Sequence, residues 1–123
     1  MINFKVGKEI VSLLKSDFNF NRLIGNKVYP VIADAKATFP FVVYRRSGYR
    51  PAENKDYLGE IVSVEFAVAS TTYEEGLTIA NALCDALRGK ETDIIQEVRV
   101  TQLSEDFIED TFVERVFLDV ELK

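Results

Sequence analysis

The segment EIVSVEFAVASTTYEE, residues 60–75, carries the strongest structural signals in the chain. Its first part alternates, and the even positions are all large and apolar: Val62, Val64, Phe66 and Val68. Successive side chains of a strand point to opposite faces of the sheet. The pattern therefore predicts a strand from Glu60 to Ser70 with one face toward the core.

A helix start follows this strand directly. Thr72 precedes Glu75 by three residues, the spacing at which a hydroxyl and a carboxylate can satisfy free N–H groups of a first helical turn. Gly89 is placed to end the helix in a left-handed conformation. The polar residues of this helix form a single stripe. Apolar residues cover the remaining circumference, about 220°, which is more than packing against one sheet requires. The stripe contains Glu74, Thr78, Asn81, Asp85 and Arg88.

Upstream, helical spacing of Val6, Ile10, Leu13 and Leu14 predicts an amphipathic helix from about Lys5 to Ser16. Residues 19–26 are rich in asparagine and glycine and are interpreted as a turn. A short strand over residues 27–31 belongs at a sheet edge or bend, because Pro30 cannot donate a ladder hydrogen bond. A further strand is predicted over residues 41–46, followed by a long hairpin loop over residues 47–59.

Two more strands are predicted downstream, over residues 94–103 and 111–122. The acidic residues 104–110 are expected to connect them as a hairpin. The expected inward side chains are Val98, Val100, Phe112, Val116, Leu118, Val120 and Leu122, with Ile95 and Phe117 outward. The sequence thus predicts a single α+β domain over residues 1–123. It has a mainly antiparallel sheet of four to five strands, two helices packed on one face, and the order α-β-β-β-α-β-β.

The composition limits which classes of function the chain can have. The net charge is −5, which argues against a wholly basic face that binds phosphate backbones. No apolar run approaches a membrane-spanning length, and the N-terminus lacks a signal-peptide pattern, so we expect an intracellular protein that does not insert in membranes. The single cysteine, Cys84, excludes an internal disulfide and has the spacing of a core or interface residue.

The residue types for catalysis are sparse. The chain has no histidine, which removes the commonest proton carrier and transition-metal ligand. The six glycines are scattered, so no phosphate-binding loop is present. The carboxylates of residues 105–110 lack the spacing of a calcium loop. We therefore predict that the chain has no catalytic, cofactor or metal site and that it is not an enzyme.

One basic and aromatic cluster stands out in this acidic chain. Such residues are enriched at protein interfaces, although an ordinary solvated hairpin is the alternative. Phe117, which is expected to face outward, joins the candidate interface because a neighbouring subunit can cover it. The candidate interface residues are Arg45, Arg46, Tyr49, Arg50, Tyr57 and Phe117.

The order of these segments resembles the small tail-completion proteins of tailed phages and prophages, also described as minor tail, tail-terminator or head–tail joining proteins. The resemblance rests on the N-terminal helix, then KVYP at residues 27–30, FPFVVY at 39–44, the strand over 62–69, and STTYEE at 70–75 leading into an alanine- and leucine-rich helix. It covers most of the chain. The loop over residues 32–38 departs from the family in lacking glycines.

The resemblance implies a structural virion subunit that completes the tail at its head-proximal end and helps to join it to the head connector. It implies a ring of copies, commonly a hexamer, in contact with other tail and connector proteins. Its location is then the virion tail, and the host cytoplasm during assembly. If the ring surrounds passing DNA, acidic lumen residues would repel the phosphates.

Two alternatives remain at this point. A small-ligand-binding or regulatory α+β module would hold a ligand between its layers. A hydrolase that uses carboxylates alone would need two acidic side chains converging in a pocket.

Overall fold

The computed structural model describes residues 5–54 and 57–123, with the backbone alone for 51–54, 57 and 58. Within these residues it has three helices and five strands, and it confirms the α+β class. The helices are α1 (Val6–Ser16), α2 (Phe18–Ile24) and α3 (Tyr73–Leu87). The strands are β1 (Val28–Pro30), β2 (Phe41–Asn54), β3 (Tyr57–Ser70), β4 (Ile95–Ile108) and β5 (Thr111–Leu122).

The five strands form one sheet in the order β1-β2-β3-β5-β4. β1 pairs in parallel with β2, and the other neighbours are antiparallel. β1 therefore lies at an edge, as Pro30 required. The three helices and the inward side chains of the sheet enclose one core, which includes Ile10, Phe20, Leu83 and Phe66. The opposite face, called the outer face below, has no helix packed on it among the described elements.

The strand–cap–helix prediction is confirmed. Val62, Val64, Phe66 and Val68 of β3 are buried. The Thr72 hydroxyl accepts a hydrogen bond from the Glu75 N–H at 3.2 Å, and Gly89 has a φ of +72° just beyond α3. These signals are local, which is why the sequence displays them.

The interpretation of residues 19–26 as a turn was wrong, because residues 18–24 form α2. The Asp17 side chain accepts a hydrogen bond from the Phe20 N–H at 2.9 Å and caps the helix. Phe20 and Ile24 are buried in the core. Their burial outweighs the weak helix propensity of Asn19 and Asn21.

The two predicted connections were also wrong. The loop predicted over residues 47–59 is strand, since β2 and β3 pair as far as Asn54 and Tyr57, with a bulge between Arg46 and Gly48; residues 55 and 56 lie outside the description. The connector predicted over residues 104–110 is mostly β4. Only Glu109 and Asp110 turn, with φ of 48° and 62°, the positive values that match the twist of paired strands.

The prediction that Ile95 faces outward was wrong as well. A register shift between Ile95 and Glu97 places Ile95 on the same side as Val98. Ile95 is fully buried. A bulge of this kind reverses the faces of an alternating pattern, and alternation alone does not reveal it.

Candidate interaction surfaces

The outer face carries a chain of ion pairs across four strands. Glu65, on β3, is nearly buried and lies between two arginines. The guanidinium groups of Arg45 on β2 and Arg115 on β5 each lie 3.2 Å from one of its carboxylate oxygens. Arg115 also donates to Asp106 on β4 at 2.8 Å. The network ties the strands together through charges that are already paired.

A second group of ion pairs lies on the same face. Asp119 accepts hydrogen bonds from Arg50 at 2.6 Å and from the Ser63 hydroxyl at 2.9 Å. Burial opposes ionisation of Asp119, but these two hydrogen bonds and the Arg50 charge outweigh it and lower its pKa. Arg99 bridges Glu97 and Glu121 at 2.9 and 3.2 Å. Pairs this exposed stabilise the fold by about 0–1 kcal/mol each, so their main effect is a polar surface.

The predicted interface residues divide between the two sides of the sheet. Arg45 and Arg50 lie on the outer face. Phe117, opposite Glu65 on β5, shares that face and is half-buried. Their position suits contact with a neighbour over the outer face.

The remaining predicted residues lie elsewhere. Arg46 and Tyr49 stand opposite Val64 and Val62, whose side chains face the helices, so they belong to the helix side of β2. Tyr49 is half-exposed. The backbone of Tyr57 pairs with β2, and its side chain lies outside the described residues.

A groove that the sequence reasoning missed opens on the helix side, between α3 and the second half of β4. The pairing register puts Leu103, Glu105 and Phe107 opposite Val116, Glu114 and Phe112 of β5. Helix α3 does not cover this end of β4, and Leu103 and Phe107 are 64% and 59% exposed. The groove between α3 and β4 is lined by Leu77, Ala80, Asn81, Cys84, Leu103, Glu114, Arg115 and Val116.

Two carboxyl groups, Glu105 and Glu114, meet at one end of this groove. Glu114 is only 6% exposed. Burial, followed by a hydrogen bond and charge repulsion from Glu105, raises its pKa to about 7. A hydrogen bond to Glu105 likewise raises the pKa of Tyr73, and burial raises the pKa of Cys84. Glu114 can therefore keep a proton near neutral pH, and the two carboxyl groups together can accept a cationic side chain.

The close approach of α3 to this pair depends on Gly76. A Cβ at that position would lie 2.8 Å from the Ser70 hydroxyl and 3.4 Å from Glu114 Cγ.

The sequence did contain a signal for the buried carboxyl group of Glu114. Glu114 occupies an inward position of β5 between Phe112 and Val116, where an apolar residue is expected.

The pair supplies the converging acids that a carboxylate hydrolase would need, although most other groove-lining side chains are apolar. In residues 5–54 and 57–123, no group of three or more acidic, histidine or cysteine side chains is placed to hold a metal ion. Over the same residues, no helix has the length and apolar character to cross a membrane.

Two comparisons with known proteins found a match. The family model described as Tail completion protein gp17 matches residues 8–122. A chain in the solved structure titled "Virion of native gene transfer agent (GTA) particle" shares the fold, with a TM-score of 0.79 and 16% sequence identity over 92% of this chain and 90% of that chain. No curated protein matches the sequence significantly. Because the family model spans nearly the whole chain, this protein belongs to the tail completion protein gp17 family and is a structural component of the virion tail.

Proposed function

We propose that this protein completes the tail at its head-proximal end and helps to join it to the head connector, as one subunit of a ring of about six copies. The observation that carries the proposal is the family match over residues 8–122. The shared fold with a virion chain supports it. We propose no catalytic role and no cofactor.

The predicted interface residues fit this role as contacts in two directions. Arg45, Arg50 and Phe117 would meet a partner over the outer face, whereas Arg46 and Tyr49 would meet one on the helix side. We propose other tail and connector proteins and further copies of this chain as those partners. With a net charge of −5, a lumen lined by acidic residues would repel passing DNA and keep it mobile.

A complementation experiment tests the function. In a particle-producing strain that lacks the gene, we expect unjoined heads and tails by electron microscopy, and rescue by the wild-type gene. The double variant Arg46→Glu, Arg50→Glu should rescue poorly while keeping the circular dichroism spectrum of the folded protein. Arg22→Glu is the matched control, because Arg22 is an exposed arginine on α2 that bonds only Asn19 among the described side chains.

The outcomes separate the function from the residues. Normal joining without the gene would refute the proposed function. Full rescue by the double variant would refute only the assignment of these arginines. Light scattering of the purified protein tests for the ring. A closed ring should have the mass of about six subunits.

A further inference from the structure

The segment after β1 holds two exposed apolar residues in a strained turn. The Ile32 N–H donates to the Pro30 carbonyl at 2.6 Å, and Val31 between them has a φ of +64°. A left-handed conformation is unfavourable for a β-branched residue, and a γ-turn of this hand is rare. Val31 and Ile32 are 70% and 77% exposed, so they contribute little to the core. We call them the Val31 knob.

Strain without a packing gain in the same molecule points to a contact outside it. The surroundings of the knob show what kind of contact. Val31 borders a hollow that is also lined by Lys8, Arg45 and Arg46. The knob is therefore apolar at its tip and basic at its base.

The groove between α3 and β4 has the opposite character. Leu77 and Leu103 are exposed at its rim, 41% and 64% respectively. Glu105 and Glu114 meet at one end, and Glu114 lines the groove. Arg115 also lines it, but its guanidinium group is paired with Glu65 and Asp106. Apolar residues beside two carboxyl groups complement an apolar tip beside basic side chains.

The knob and the groove occupy opposite ends of one row across the sheet. The Val31 N–H donates to the Tyr44 carbonyl at 2.8 Å. Tyr44 pairs with Phe66, Phe66 with Val116, and Val116 with Leu103. Four strand spacings separate the ends by about 19 Å, so they cannot meet within one copy.

We propose that the Val31 knob of one copy docks in the α3–β4 groove of the next copy, with Lys8 and Arg46 facing Glu105 and Glu114. Because the two surfaces lie at opposite edges of the sheet, the contact is head-to-tail, and such contacts generate rings when their rotation closes. The proposal rests on the proposed function and assigns its subunit interface.

Two single variants test the contact. Val31→Asp places a carboxylate in the apolar knob, and an aspartate tolerates positive φ better than a valine does. Leu103→Asp removes the groove. Both positions are well exposed, so the variants should fold. Phe18→Asp, at an 83% exposed position on α2 outside both surfaces, is the matched control.

Analytical ultracentrifugation over a concentration series supplies the readout. The wild type and Phe18→Asp should associate, and each of the other variants alone should associate at least about tenfold more weakly. A mixture of Val31→Asp and Leu103→Asp should form one-to-one dimers and nothing larger, since only one intact knob and one intact groove remain in that pair. A two-fold symmetric interface would not give this result.

The single cysteine gives a second readout. After mild oxidation, Ile32→Cys should form disulfide-linked oligomers through Cys84 of the neighbouring copy, and adding Cys84→Ser should remove linkage beyond dimers.

Three results would overturn the proposal: a monomeric mixture while the wild type associates, unchanged association of either variant alone, or a wild type that stays monomeric. None of them bears on tail joining in the deletion strain, which tests the proposed function independently.

Discussion

Replacing Glu114 by glutamine should change how the stability of the protein depends on pH. The folded state raises the pKa of Glu114 from 4.5 to about 7, chiefly through burial and then through Glu105. The unfolded chain restores the ordinary value. Between these two pKa values the folded state holds a proton that the unfolded state has lost, so the contribution to stability is present below about pH 4.5 and is lost as pH rises to about 7.

The size of the effect follows from the shift. At about 1.4 kcal/mol per pH unit, the rise from 4.5 to about 7 corresponds to about 3 kcal/mol. The titratable groups that interact with the Glu114 carboxyl are Glu105 on β4 and Tyr73 on α3. Glutamine keeps the shape of the side chain and removes its titration.

Urea unfolding at about pH 5 and about pH 7.5 measures the effect. The wild type should lose about 2–3 kcal/mol more of its unfolding free energy than Glu114→Gln between the two conditions. Glu109→Gln, at an exposed position of the β4–β5 turn, is the control and should follow the wild type. Parallel profiles for the wild type and Glu114→Gln would show that Glu114 does not hold the proton, and the reasoning would fail.

Three further predictions concern the helices. Phe20→Ala should destabilise the protein by about 3–5 kcal/mol in urea unfolding because Phe20 is fully buried, whereas Phe18→Ala, at an exposed position of the same helix, should change stability by about 0.5 kcal/mol or less. Asp17→Ala should cost about 1 kcal/mol by removing the cap of α2, and no loss would show that the 2.9 Å hydrogen bond does not stabilise the helix. Gly76→Ala should lower the melting temperature, although alanine usually favours helix, because its Cβ would crowd the Ser70 hydroxyl; Ser70→Ala in the same chain should restore part of the loss, and an equal loss in both backgrounds would contradict the clash.

The sequence by itself determined the elements with local signals. The alternation of β3 and β5, the Thr72 cap and the left-handed Gly89 all depend on residues within a few positions of one another. Their order was enough to suggest the tail-completion family, which the family model then confirmed. The sequence analysis did not recognise the Asp17 cap, and the burial of Phe20 that makes α2 a helix is not visible along the chain.

Only the tertiary structure decided where the surfaces lie. The bulges in β2 and β4 depend on pairing with distant strands, and they set which side Tyr49 and Ile95 face. Glu105 and Glu114 meet because β4 and β5 pair in one register, and α3 reaches them because Gly76 has no side chain. Such contacts join residues far apart in the chain, and a pattern read along one segment does not contain the register of another.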